Sequence, residues 1–130
     1  MEEATKNVQK VLVVEDDPIL KNLLGSNFSG KYEAMYASTG NDALTILDTY
    51  KPDIILLDLM LPEMGGFEVL EAIRARSDDL KSVPVIIVSN LSQEEDQEKA
   101  RALGANDYLV KAEVAIEEIT AKIDEHIAAA

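Results

Sequence analysis

Five short apolar runs punctuate the chain: Val11-Leu12-Val13-Val14, Ala34-Met35-Tyr36-Ala37, Ile54-Ile55-Leu56-Leu57, Val85-Ile86-Ile87-Val88 and Tyr108-Leu109-Val110. The first, third and fourth are unbroken and rich in β-branched residues. A strand with one wet face alternates apolar and polar side chains, whereas an unbroken run suits a parallel strand covered on both faces. Longer amphipathic stretches separate the runs. Ile19, Leu23, Leu24 and Phe28 recur at helical spacing after Pro18, a residue that fits the first turn of a helix. Ala43, Leu44, Ile46 and Leu47 mark a second helix, capped by Ser38 or Thr39 and ended before Pro52. Phe67, Val69, Leu70 and Ile73 mark a third. Ser92 and Glu95 read as a capping box opening a fourth, and Gly104 reads as its stop. Val114, Ile116, Ile119, Ile123 and Ile127 form the stripe of a fifth. These apolar residues read mainly as core. Parallel strands need crossover connections, so the alternation predicts a doubly wound α/β domain.

The polar residues that follow the runs carry the candidate chemistry. Val14 leads into Glu15-Asp16-Asp17, Leu57 into Asp58, Val88 into Ser89-Asn90, and Val110 into Lys111. Ligands of open parallel sheets bind beyond the carboxyl ends of the strands, where these four ends meet. Taken singly, each is a polar residue leaving a strand; four on one edge suggest a site. Asp58 is followed by the apolar turn Leu59-Met60-Leu61-Pro62, so its charge needs a partner or a metal ion. Oxygen donors without cysteine favour Mg²⁺, with Mn²⁺ as the alternative, over zinc. A lysine and a serine hydroxyl complete a phosphoryl-binding set, which implies phosphoryl transfer onto an aspartate nucleophile. No Gly-x-x-x-x-Gly-Lys-Ser/Thr loop is present, so P-loop nucleotide hydrolysis has no support.

Composition narrows the field further. The 130 residues suit one domain, and the net charge of −13 argues against nucleic-acid binding. Both halves are acidic, so no basic arm is hidden. The absence of cysteine removes disulfides and thiol chemistry, and His126 reads as a solvated helix residue. Without a membrane-length apolar run or a signal-peptide pattern, a cytoplasmic protein off the membrane is expected.

The four segments 11–18, 52–70, 84–89 and 104–111 together resemble the response-regulator receiver domains of two-component signalling, the chemotaxis regulators among them. The resemblance runs from Val11 to about Ile127. It implies a flavodoxin-like (βα)5 fold with a five-stranded parallel sheet in the order 2-1-3-4-5. It also implies that Asp58 accepts a phosphoryl group from a sensor histidine kinase or a histidine phosphotransfer domain. Asp16 would bind Mg²⁺ directly, Glu15 through water, and Asp58 and the Met60 carbonyl would complete the protein ligands. Ser89 and Lys111 would engage the phosphoryl group. Ser89 and Tyr108 would form the switch that alters the surface of the fourth helix, fifth strand and fifth helix. That surface would control an output partner or domain and could pair two copies of the chain. Such a protein catalyses no reaction beyond its own phosphorylation and slow dephosphorylation.

Some positions depart from the family pattern. Ala112 stands where a proline usually follows the lysine in a cis bond, and Asn90 replaces a small residue. Met60 and Leu91 are apolar where a polar side chain could orient attacking water, which implies slow loss of the phosphoryl group. Asp17, one position past the acidic pair, reads as loop charge. The expected boundaries are a tail at 1–9, the domain at 10–127, and an appended alanine tail at 128–130. Competing readings are a phosphatase, a flavin-binding module and a phosphorylation-independent interaction domain. The first needs a second acid to protonate the leaving group, and Met60 stands at the nearest candidate position. The second lacks a hydroxyl-rich phosphate loop, and the third leaves the complete polar set unexplained.

Overall fold

Strands β1 (Gln9–Val14), β2 (Tyr32–Ala37), β3 (Ile54–Leu57), β4 (Val85–Ser89) and β5 (Asp107–Val110) form one parallel sheet in a computed structural model that describes residues 8–129. Their order is β2-β1-β3-β4-β5, as the family resemblance implies. The connections are α1 (Pro18–Phe28), α2 (Gly40–Ile46), α3 (Gly66–Arg74) and α4 (Glu94–Ala102), and α5 (Ile116–Ala129) follows the last strand. Most of the expected 1–9 tail lies outside the described residues, as does Ala130. Gln9 already belongs to β1, and Ala128 and Ala129 continue α5.

Consecutive side chains of a strand point to opposite faces, and both faces are covered. Leu12, Val14, Ile55, Leu57, Val85 and Ile87 pack with Ala43 and Leu47 of the α2 segment, Val69, Leu70 and Ile73 of α3, and Ala100 of α4. Val11, Val13, Ile54, Leu56, Ile86 and Val88 pack on the other face with Leu24 and Phe28 of α1 and Ile119 and Ile123 of α5. Register places Val14 beside both Ala37 and Leu57, Leu57 beside Ile87, and Ser89 beside Val110. The carboxyl ends of the strands therefore share one edge.

Several local expectations are corrected, and two that the sequence left open, the α2 cap and the Lys111–Ala112 bond, are settled. Ile19 and Leu23 are 69% and 50% exposed, because the face of α1 that meets the sheet runs through Leu20, Leu24 and Phe28. The Ser92–Glu95 capping box does not form. The N-cap of α4 is Gln93, which makes no side-chain cap bond, and Glu94, Glu95 and Asp96 occupy the first turn. Acids there still favour the helix by complementing its dipole. Thr39 rather than Ser38 caps α2, accepting from the Asp42 N–H at 3.0 Å, while Ser38 accepts from the Lys21 ammonium at 2.7 Å. His126 is not freely solvated: its Nε2 lies 2.9 Å from Asp107 Oδ2. Asp17 is more than loop charge, since it caps α1. The Lys111–Ala112 bond is not cis, and Lys111–Glu113 forms a 3₁₀ turn.

Arg74 ties together the sheet edge opposite the candidate site. Its guanidinium donates to the carbonyls of Gly104, Lys81 and Val83 and to Asn106 Oδ1 at 2.7–3.1 Å. Asn106 Oδ1 also accepts from the Val85 N–H at 2.9 Å. Gly104, with φ +104°, leaves room for this clasp, since a Cβ there would stand 2.7 Å from Arg74 Nε. Arg74→Met would strand these carbonyls and is expected to cost about 3 kcal/mol in urea unfolding. Arg76→Met, which removes a two-point pair with Asp78 at 2.8 and 3.0 Å and a contact with the Leu47 carbonyl, is expected to cost clearly less than Arg74→Met.

Candidate functional site

Glu15 and Asp16 leave β1, Asp58 leaves β3, Ser89 ends β4 and Lys111 leaves β5. Parallel pairing brings these residues to one rim. Glu15 and Asp58 are each 3% exposed, and Asp16 is exposed. One carboxylate oxygen from each of the three lies within 4.8 Å of the others. Backbone bonds hold the turns: the Glu15 N–H donates to Ala37 O at 2.9 Å and the Asp58 N–H to Val14 O at 3.0 Å. The start of α3 also presses on the Asp58 backbone. A Cβ at Gly66 would stand 2.4 Å from the Asp58 carbonyl oxygen, so only glycine allows this approach.

Lys111 supplies the balancing cation. Its Nζ donates to Asp58 Oδ2 at 2.9 Å and lies 2.9 and 3.1 Å from the two Glu15 oxygens. The Met60 N–H donates to Asp58 Oδ1 at 3.0 Å, while the Met60 side chain is 56% exposed. Ser89 is fully buried, and its Oγ accepts from the Leu91 N–H at 3.3 Å. Tyr108 is also buried and donates its hydroxyl to the Leu91 carbonyl at 2.6 Å. The structure thus brings Glu15, Asp16, Asp58 and Lys111 together directly. Ser89 and Tyr108 meet instead through the backbone of Leu91, Ser89 at its N–H and Tyr108 at its carbonyl. That link could not be read from the sequence, because the bonds use only the backbone of an apolar residue.

The donor set suits a hard divalent cation: three carboxylates, two of them buried, with no competing thiol and no imidazole in the cluster. Beside Lys111 runs a groove of about 480 Å³, lined by Ile19, Leu20, Leu23, Val114 and Ile116 among others. Burial, with the Asp96 and Asp58 charges, pushes the Tyr108 phenol up to about 12, so it stays protonated as a hydrogen-bond donor.

Burial pushes the Glu15 carboxyl above its usual range, aided by the Asp58 charge. Bonds from Lys111 and the Asp17 N–H offset only part of that effect. Burial pushes the Lys111 ammonium down, but its bonds to Asp58 and Glu15 outweigh this and hold it above an ordinary lysine. A carboxylate with a raised pKa costs folding stability above that pKa, and the cost disappears as falling pH protonates it. Metal-free Glu15→Gln is therefore expected to be more stable than wild type near neutral pH, with the gain lost in acid. Urea unfolding at about pH 7 and about pH 4 measures this; a loss of stability at the higher pH would contradict it.

Comparison with known proteins places this geometry in a family. A family model described as "Response regulator receiver domain" matches residues 11–124. Among curated relatives, a probable transcriptional regulator, ycf27, of Cyanophora paradoxa is 35% identical over 106 residues, covering 81% of this chain and 43% of that protein. The Regulator of RpoS of Escherichia coli K12 is 36% identical over 104 residues, covering 79% of this chain and 30% of that protein. The chain thus spans less than half the length of these relatives. The receiver domain of Francisella response regulator 1452 superposes with a TM-score of 0.83 at 28% identity, covering 92% of this chain and 97% of that one. The Mn²⁺-bound form of response regulator Rcp1 gives 0.76 at 28% identity, covering 84% and 85%. The receiver domain of sensor histidine kinase PA1611 from Pseudomonas aeruginosa, with magnesium in its active-site cleft, gives 0.83 at 26% identity, covering 93% and 98%. With the fold, the strand order and residues 11–124 all in agreement, this chain belongs to the response regulator receiver domains of two-component signalling.

Proposed function

We propose that Asp58 is the phospho-acceptor of this receiver, taking its phosphoryl group from a phosphohistidine of a sensor kinase or phosphotransfer domain. The observation that carries this reading is the buried Asp58 carboxylate, which has Glu15 and Asp16 within 4.8 Å and an ammonium at 2.9 Å. An Asp58 oxygen attacks phosphorus, the phosphorus–nitrogen bond breaks, and the imidazole leaves with the bonding pair. Asp16 and Asp58 would hold a divalent cation directly, Glu15 through water, and the Met60 carbonyl would add a further ligand. When bound, that Mg²⁺ or Mn²⁺ would neutralise charge on the phosphoryl oxygens. Lys111 pairs with one of those oxygens, and the Ser89 hydroxyl turns from Leu91 to donate to another. The groove flanked by exposed Ile19 and Leu23 offers the donor an apolar seat beside Lys111.

The output follows as a population shift. A phosphoryl group adds about −1.5 to −2 of charge and strong acceptor oxygens, which favours the arrangement with Ser89 and Lys111 turned inward. Ser89 bonds the Leu91 N–H and Tyr108 its carbonyl, so a change at Ser89 is felt by Tyr108 and by the start of α4. The surface of α4, β5 and α5 then presents a different face to an output protein or domain. The strands and helices from Gln9 to Ala129 form the unit that does this work.

Incubation with phosphoramidate and Mg²⁺ is expected to add one phosphoryl group by intact-mass measurement, lost in Asp58→Asn and strongly slowed in Lys111→Met. Undiminished labelling of Asp58→Asn would move the acceptor elsewhere. Neither exposed Met60 nor Leu91 can orient water, so the phosphorylated protein should persist well beyond seconds; decay within seconds would contradict that. A beryllofluoride mimic should shift the NMR signals of Tyr108 and Leu91 and of α4. An unchanged α4–β5–α5 surface would rule out the switch.

A further inference from the structure

Three consecutive acids, Glu15-Asp16-Asp17, stand at the end of β1, but only the first two join Asp58 in the carboxylate cluster. Asp17 is turned to another task. Its backbone is extended, with φ −77° and ψ 113°, and its Oδ1 accepts from the Ile19 N–H at 2.9 Å. Its carbonyl accepts from the Lys21 N–H at 3.1 Å. Pro18, at the first helical position, has no N–H to offer, so Ile19 carries the first amide that needs a partner. The N–H of Asp17 itself donates to Glu15 Oε2 at 3.0 Å. One residue therefore clamps the first turn of α1 on one side and the Glu15 carboxylate on the other. Besides the Asp17 amide, the only donor to Glu15 among the described residues is Lys111.

We propose that Asp17 is a positioning residue for the divalent cation: it caps α1 and thereby holds the turn that presents Glu15 and Asp16, without binding the cation itself. The inference rests on the reading that Glu15, Asp16 and Asp58 hold that cation. An uncapped first turn releases the Asp17 peptide, and the Asp17 N–H then no longer holds Glu15 in place. The negative charge of Asp17 is incidental to this role. What counts is a short side chain whose oxygen can reach back to the Ile19 amide.

Mn²⁺ titration of the full chain, read by electron paramagnetic resonance of the free ion, separates cap from charge. Asp17→Asn and Asp17→Ser keep a capping oxygen and lose the charge; both are expected to bind Mn²⁺ within about twofold of wild type. Asp17→Ala loses both and is expected to bind about three- to tenfold more weakly, as the loss of a cap implies. Asp17→Glu keeps the charge on a side chain too long to cap well, and is expected to follow Asp17→Ala. Should Asp17→Ala not fold by circular dichroism, the contrast of Asp17→Glu with Asp17→Asn carries the test. Equal affinity in all variants, or Asp17→Asn as weak as Asp17→Ala while Asp17→Glu binds normally, overturns the proposal. Asp16→Asn serves as the control. If wild type shows no Mn²⁺ binding that Asp16→Asn removes, the cation site itself is wrong, a failure distinct from that of Asp17 alone.

Discussion

The arrangement of this domain turns on one buried ionic cluster: the Lys111 ammonium set between the carboxylates of Glu15 and Asp58. Two nearly buried acids side by side repel one another and lose their hydration, a cost that only a cation close at hand can offset. The parallel sheet makes the meeting possible because every strand delivers its carboxyl end to the same edge. Lys111 arrives from β5, two strands away from β3, yet it reaches Asp58 at 2.9 Å. It does so from a 3₁₀ turn with a trans bond to Ala112. The missing proline therefore does not displace the lysine. A divalent cation entering the cluster would meet the same acids that Lys111 already balances, so cation and lysine act on a shared charge.

A contrast in packing surrounds that cluster. The helix α4 contributes one buried residue, Ala100, and its N-cap makes no side-chain bond. A cation–π contact of Lys99 with the Phe67 ring at 4.4 Å adds to its hold on α3. The far end is held by more: Arg74 grips the Gly104 carbonyl through two nitrogens and Asn106 through a third contact. Elements with few buried apolar contacts open at lower free energy than the core. The start of α4 thus sits at the loosely held end, one short loop from Leu91, whose N–H is bonded to Ser89 and whose carbonyl is bonded to Tyr108. A packed sheet and a lightly held helix thus flank the backbone of Leu91.

Much of the fold was legible because burial on both faces of a parallel strand leaves a plain signature. Val11–Val14, Ile54–Leu57 and Val85–Val88 are unbroken apolar runs, and all twelve of these residues are buried. Helix faces were harder to read. Ile19 and Leu23 share the spacing of Leu24 and Phe28 but point to solvent, since a stripe wider than the contact leaves its margin exposed. Caps were harder still: Ser38 and Thr39 are equally good candidates, and the choice fell to whichever oxygen reached the Asp42 amide. Ser92 failed as a cap because α4 starts one residue too late for it. His126 looked solvated only because its partner, Asp107, is distant in sequence.

By itself, the sequence determined which residues had to be hidden, which strand ends carried charge, and, through four segments in one order, the family. Those are properties of composition and local spacing. Only the tertiary structure decided how the polar groups are shared: Lys111 between Glu15 and Asp58, Asp17 turned away to cap α1, and Ser89 and Tyr108 joined through the backbone N–H and carbonyl of Leu91. The reason is physical. A hydrogen bond is set by distances of about 3 Å and by direction, and residues 15, 58 and 111 come within that range only after the sheet has aligned its edge.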